Sequence, residues 1–502
     1  MKVILSGYNI DTQVIKEALD AGIPKERLTP EVLSAAYARI SRNPSPVNEL
    51  RTQALAEVSK ARKSNKKIIF GMGHHSVAEH AAFNFDIIDM SRLAIEELEH
   101  FRLCSFTEKS QRYITLNNDF VMPSELKDTP FEHELLELIS KQSGIYNMLH
   151  KKLHERLKNK YPKLISKKSS ANMVDGWAKE DARYATLLCT SGQLGFTANA
   201  RNLELIIKKL NASQLSELRD LAKIFYDEAT SVAPSIFIFT EPSLYDTETP
   251  LKLKDLAKKI LLKQPGFTKD NQNLSSDATL VDYTANGDRK IAASILASHS
   301  LANIEQCQQA VKSMTDDEVK NIFKEALENM EFFDSPPREF EHVSLTFEVS
   351  VSAAGYGQLK RHRMMTQTVS EYDPELGLTI PPAIIEAGLQ DEFIKHTNAA
   401  EKLFYKIKET LPHAAPYALT NAHRRKVLIT TNLRELYHFS RLREDTHAQW
   451  DIRNLAVIMR EKTKEVMPMG SMLLCGKDSF VKLFNTVYGH NPKIDPASNQ
   501  AT

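Results

Sequence analysis

Apolar residues alternate with less apolar ones in AAFNFDII, where Phe83, Phe85 and Ile87 recur at every second position, and that period predicts a half-buried strand. KVILSGY near the N-terminus reads as another short strand. Between them, Thr29 with Pro30 and Glu31 predicts a helix start ahead of VLSAAYARIS. FGMGHHSVAEH is then a Gly-rich turn carrying His74, His75, Ser76, Glu79 and His80. A helix is expected from about Ser91, bearing ELEHFR, followed by a Lys- and Leu-rich helical stretch. EDARYATLLCTSGQLGFTANARNLELIIKKL then sets Arg183, Asn199 and Arg201 in an otherwise apolar context. From Ser243 to about Asp277 the composition shifts to Lys, Pro, Asn, Ser and Gly, as in an exposed linker, and ATLVDYTAN restarts the pattern as a new strand.

The restart is an internal repeat. LSAAYARIS (33–41) matches KIAASILAS (290–298), EHAAFNFDI (79–87) matches EHVSLTFEV (341–349), and NARNLELIIKKL (199–210) matches NLRELYHFSRLR (432–443). The spacing from the Glu-His pair to the last Arg of a following basic segment is 22 residues from His80 to Arg102 and 21 from His342 to Arg363. The expected domains are an N-terminal repeat over 1–245, a linker over 246–277, a C-terminal repeat over 278–490 and a tail over 491–502.

Bulk composition narrows the class. At 502 residues the chain exceeds one ordinary core, at roughly 150 residues per domain. Its 42% hydrophobic and 26% charged content, with a formal net charge of +1, suits a soluble globular protein and gives no general nucleic-acid electrostatics. No run approaches the ~20 apolar residues of a membrane span, so a cytoplasmic protein without membrane contact is expected. Cys104, Cys189, Cys307 and Cys475 are too scattered for a disulfide framework or paired metal ligands.

The candidate chemistry centres on Gln358 to Arg363, QLKRHR, and its altered counterpart from Glu97 to Tyr113, ELEHFRLCSFTEKSQRY. Arginine offers a planar fork that grips phosphate, and histidine adds a donor or acceptor beside a ring. A solvated basic patch on a helix face is the plain alternative. His75, Glu79 and His80 are not joined by a ligand set with metal-site spacing, so no metal is expected. GMGHHS lacks the third Gly of a dinucleotide fingerprint.

These residues resemble the flavin-dependent thymidylate synthases (ThyX), whose signature is Arg-His-Arg, a short gap, then Ser-x-Arg. The second half has Arg361-His362-Arg363 intact with Gln358 ahead of it, but TQTVSEYDPE, with Val369 within it, replaces Ser-x-Arg. The first half keeps Glu108, Ser110, Gln111, Arg112 and Tyr113 of the nucleotide loop, whereas Arg-His-Arg has become His100-Phe101-Arg102. Arg183 stands 16 residues before Asn199, where the family has a nucleotide-contacting Arg; Pro416 stands 16 before Asn432. Conversely Asn432, Arg434, His438, Leu442, Arg443, His447, Ala448 and Gln449 preserve a family segment that fades after Asn199 and Arg201 in the first half. His74, Ser76 and Glu79 match the flavin-contacting segment.

The resemblance implies an α+β fold of two ThyX-like domains, each a mixed sheet with packed helices, forming an intrachain pseudo-dimer. It also implies a homodimer of such chains, rebuilding the family's four-unit assembly. The expected reaction is reductive C5 methylation of dUMP to dTMP, with FAD as cofactor and methylenetetrahydrofolate and NADPH as co-substrates. By the same resemblance Arg443 and Ser110 are the catalytic candidates, and Glu108, Ser110, Gln111, Arg112, Arg183, Gln358, Arg361 and Arg443 bind the nucleotide. His74, Ser76, Glu79, Arg361, His362, Arg363, Asn199, Arg201, Asn432, Arg434, His438, Leu442 and His447 contact the cofactor. Ser110 is not expected to be a covalent nucleophile, because no general base is identifiable beside it. Another one-carbon transfer to a pyrimidine nucleotide, or a non-catalytic nucleotide- or nucleic-acid-binding relative, stays open.

Overall fold

The two sheets of the computed structural model repeat one another strand for strand. The structure describes residues 1–21, 27–40, 43–66, 75–112, 114, 116, 119–165, 168–264 and 277–494, so His74 and Tyr113 lie outside the described residues. β1 (Lys2–Tyr8), β2 (Ala82–Ser91), β3 (Ser105–Glu108) and β4 (Ser191–Asn199) are ordered β1-β2-β4-β3. β5 (Ala278–Tyr283), β6 (Ser344–Ser352), β7 (Thr366–Val369) and β8 (Arg424–Asn432) are ordered β5-β6-β8-β7. Register repeats as well as order. Ala82 faces Asn199 and Ser344 faces Asn432, and the first strand of each sheet carries one irregularity, between Leu5 and Gly7 or between Leu280 and Asp282.

The ladders of both sheets are antiparallel, which corrects the expectation of mixed sheets. Period-two alternation reports which face of a strand is buried and is the same for either direction of its neighbour. The alternation itself is realised: Phe83, Phe85 and Ile87 on β2, and Leu345, Phe347 and Val349 on β6, are all buried. Phe85 packs against Phe225 and Phe196, with ring centroids 4.7 and 6.1 Å away. Truncating such a ring to Ala costs roughly 3–5 kcal/mol.

The aligned helices start alike. Ser91 caps the Arg92–Leu98 helix by accepting from the Ala94 N–H, and Ser352 caps Ala353–Leu359 by accepting from the Gly355 N–H. Asn199 caps Ala200–Asn211 and Asn432 caps Leu433–Arg443 in the same way. The Ser243–Asp277 stretch contains a helix, Thr249–Leu261, none of whose residues is buried.

The chain divides into two units, Met1–Phe267 with Pro381–Thr420, and Thr268–Ile380 with Asn421–Thr502. Residues 381–420 therefore belong to the second repeat by sequence and to the first unit by packing. Within that unit the Gln390–Thr410 helix, burying Phe393, Leu403, Phe404 and Ile407, lies against Pro130–Lys160, its counterpart between the third and fourth strands of the first repeat. Its His396 ring bonds the Ala185 carbonyl at 2.9 Å, and Tyr417 donates to Glu217 at 2.9 Å. Core formation in the second unit runs through Phe347, Leu433, Tyr437 and Met459.

Candidate active site

In the first unit, β3 ends at Glu108 and its loop turns back on β4 through a bond from the Lys109 N–H to the Gln193 carbonyl, 2.9 Å. Ser110 Oγ accepts the Arg112 N–H at 3.2 Å, a local turn that fixes the backbone ahead of Arg112. Gln111 is buried. Arg112 forms an ion pair with Glu180. Arg183 follows one turn later, in the short 3-10 turn that ends the Lys168–Ala182 helix, and donates from Nε to the Glu180 carbonyl at 3.3 Å.

Glu180 thus ties Arg112 and Arg183 together through its carboxylate and its backbone. Arg183 is only 8% exposed. Burial lowers its pKa, Tyr184 and Glu180 oppose that fall, and Arg112 and Arg92 add to it. Arg92 is itself buried and paired to Glu96 at 3.4 Å. Arg112 and Arg92 thus act on Arg183 with like charge, while Glu180 and Glu96 already pair with those two arginines. Neither Arg92 nor Glu180 was singled out by sequence; the signals were Arg92 and Glu96 at i,i+4 and Glu180 and Arg183 at i,i+3.

The second unit gathers a different set. The Ala353–Leu359 helix ends in the QLKRHR segment, and the Leu433–Arg443 helix delivers Arg443 from its last turn. Arg443 donates from Nε to Nε2 of His362 at 2.8 Å and from Nη1 to Oε1 of Gln358 at 3.1 Å. His362 is buried, with the Phe439 ring 4.7 Å and the His438 ring 5.7 Å from its own and Glu435 3.6 Å from Nδ1. Burial first, then Arg443 and His438, hold its pKa well below 6.5. It is a neutral acceptor that orients Arg443, while Arg361 and Arg363 on either side are exposed.

The replaced loop of the second repeat is stitched down. Gln367 donates to the carbonyls of Leu359 and His362 at 3.2 Å each, and Arg425 donates to the Ser370 carbonyl at 2.8 Å while lying over the Tyr372 and Tyr356 rings, 4.4 and 5.0 Å away. Val369 is half-buried in β7.

The remaining candidates have surroundings of their own within each unit. Glu79 pairs with Arg201, and at the aligned place Glu341 pairs with Arg434 at 3.2 Å, so each pair links the turn before the second strand to the helix after the fourth. Asn199 and Asn432 spend Oδ1 on capping. Ser76 is exposed, Leu442 is 47% exposed, and His447 pairs with Asp445 at 2.9 Å. His75 tilts against Phe239 and His80 sits edge-on to Tyr37.

A family profile described as thymidylate synthase complementing protein matches residues 25–235 and again residues 279–469. The chain belongs to this family, in two tandem copies. A UPF0159 protein of Thermoplasma acidophilum is 23% identical over 444 residues, covering 80% of this chain and 86% of that protein. A flavin-dependent thymidylate synthase of Clostridium tetani is 28% identical over 226 residues, 44% of this chain and 86% of its own length. Among solved structures, a UMP/dUMP methylase, PolB, from Streptomyces cacaoi aligns over 44% of this chain and 100% of that one at 17% identity, with a TM-score of 0.33. The two thymidylate synthase complementing repeats thus share a topology and hold different polar clusters: Glu108 to Arg112 with Arg183 in one, Gln358 to Arg363 with Arg443 in the other.

Proposed function

We propose that this chain is a flavin-dependent methyltransferase of the thymidylate synthase type, acting at C5 of dUMP with methylenetetrahydrofolate as the carbon donor and NADPH as reductant. The observation that carries the reading is the split just described. The first repeat keeps an arginine pair around Glu180, and the second keeps an arginine locked by Gln358 and His362. Relatives matching 44% and 38% of this chain are named flavin-dependent thymidylate synthases.

The donor set of the second repeat fits FAD. Arg361 and Arg363 would carry cationic charge to its phosphates, and the buried Nδ1 of His362, 3.6 Å from Glu435, belongs to a ring fixed beside them. FAD when bound would supply the hydride chemistry. Arg112 and Arg183 would neutralise the nucleotide phosphate, with Ser110 holding the loop that presents Arg112. Arg443, held by two bonds, would keep its guanidinium oriented toward charge developing on the pyrimidine carbonyl, where a fixed donor counts for more than a mobile one. Two such chains would rebuild a four-unit assembly.

A non-catalytic nucleotide binder is the competing reading; Glu180, already paired with Arg112, competes with a phosphate there under either one. Purified protein separates the two. Bound yellow flavin, oxidised in a dUMP-dependent way after reduction, supports the enzyme; dUMP binding with no flavin and no turnover supports the binder.

A further inference from the structure

Tyr146, His150 and His154 recur every four residues on one face of the Pro130–Lys160 helix, their rings nearly parallel, with successive centroids 6.2 and 5.8 Å apart. Asp175, from the Lys168–Ala182 helix of the same unit, reaches this stack. His150 Nε2 lies 2.8 Å and His154 Nδ1 3.6 Å from the same oxygen, Oδ1. The carboxylate's other oxygen, Oδ2, is taken by Lys179 at 2.7 Å. None of the family's motifs includes these three residues, and none of the reaction described above uses them.

We propose that His150, His154 and Asp175 form a binding site for a first-row divalent metal ion of the zinc type. Two imidazoles at i,i+4 and one carboxylate form a three-ligand set that such ions take, and the three ligand atoms lie within 4.8 Å of one another. Bonds of about 2.0 to 2.1 Å in a tetrahedral arrangement place neighbouring ligand atoms about 3.3 Å apart. The observed 2.8 and 3.6 Å between the imidazole nitrogens and Oδ1 straddle that value, and the separation of the two nitrogens lies within 4.8 Å, so the cluster closes on an ion by drawing the rings together.

A proton serves this cluster less well than a metal does. One N–H can bridge His150 to Oδ1, which leaves His154 at 3.6 Å, outside hydrogen-bond range. An ion at the centre would engage both rings and the oxygen together. Lys179 opposes a cation by charge, yet it also orients the carboxylate through Oδ2, the supporting part that a metal ligand's outer partner plays. Three protein ligands leave one position for water or an external ligand.

The test is titration of the full chain with Co2+, read by the visible bands of tetrahedral cobalt, followed by Zn2+ displacement. His154→Gln is the informative variant, because His154 makes no hydrogen bond to Asp175 and its loss should leave the fold intact by circular dichroism. Wild type and the control His133→Ala should bind one equivalent with the tetrahedral spectrum. His154→Gln and Asp175→Asn should weaken that binding by more than the roughly 10- to 100-fold that loss of a supporting residue costs. Equal binding by wild type and both variants, or a wild type without the tetrahedral spectrum, overturns the site.

Discussion

Arg443 donates from Nε to Nε2 of His362 at 2.8 Å, and this contact sets the protonation state of a buried imidazole. The ring can accept there only with its own proton on Nδ1, so it must be neutral. A pH dependence follows. Above about pH 6.5 the folded and unfolded chains both hold His362 neutral, and it contributes nothing to the slope. Below that, the unfolded chain binds a proton that the folded one refuses, so stability falls as pH drops toward the depressed folded pKa. The slope is at most about 1.4 kcal/mol per pH unit, for one proton. Urea denaturation of wild type and His362→Gln between pH 7.5 and 5, roughly the window in which imidazole titrates, should show this extra slope only in wild type. Parallel lines would place the proton elsewhere.

The exposed arginines flanking His362 lead to a separate expectation for flavin. Arg361→Ala and Arg363→Ala should each weaken FAD binding by about ten- to a hundredfold, the weight of one charge-assisted phosphate contact. Their fold should be unchanged, because neither side chain is buried. The measurement is flavin absorbance after exhaustive dialysis. Full flavin in both variants, with loss in Arg102→Ala, would move the cofactor to the first repeat.

Much of this arrangement was legible in the sequence, and the physical reason differs from part to part. Phe83, Phe85 and Ile87 were readable because burial imposes period two along a strand. The helix start at Ser91 was readable, whereas the capping by Asn199 and Asn432 was not, since both were read as cofactor contacts. Strand direction was not, because alternation is blind to it. The bond between His362 and Arg443 joins residues 81 positions apart, and no local pattern encodes it. Glu180 looked like an ordinary helix residue until Arg112 was brought to it. Tyr417 shows the same limit: its aligned segment predicted a lost arginine at Pro416, and only packing reveals that Tyr417 meets Glu217.

Glu217 is a structural keystone of the first unit. Its carboxylate accepts from Ser91 N–H at 2.7 Å, from Ser91 Oγ at 2.6 Å and from the Tyr417 hydroxyl at 2.9 Å, all in a buried setting. Glu217→Ala leaves these donors without their acceptor and should destabilise the unit by roughly 2–4 kcal/mol, about 1–3 kcal/mol per stranded group with partial relaxation. Tyr417→Phe removes one donor only and should cost about 1 kcal/mol. Thermal melts rank the two. Equal small losses would mean water replaces the missing partners.

The nucleotide prediction draws on both repeats, since Arg112 and Arg183 are retained in one and Arg443 in the other. Arg112 and Arg183 in the first unit and Arg443 in the second are each read as nucleotide contacts, so removing any one is expected to weaken dUMP binding. Each Ala variant should lose roughly 1.5–3 kcal/mol, or about ten- to a hundredfold in affinity. Glu180 changes the expectation for Arg112 in a way that tests the geometry. Its carboxylate competes with phosphate for that guanidinium, so Glu180→Gln should hold dUMP more tightly than wild type, while Arg112→Ala should hold it less tightly. Calorimetric titration of flavin-loaded protein with dUMP compares them directly. Wild-type affinity in Arg443→Ala beside a loss in Arg112→Ala would confine the nucleotide to the first repeat. No heat from wild type with flavin still bound would remove dUMP as the substrate and favour another pyrimidine nucleotide.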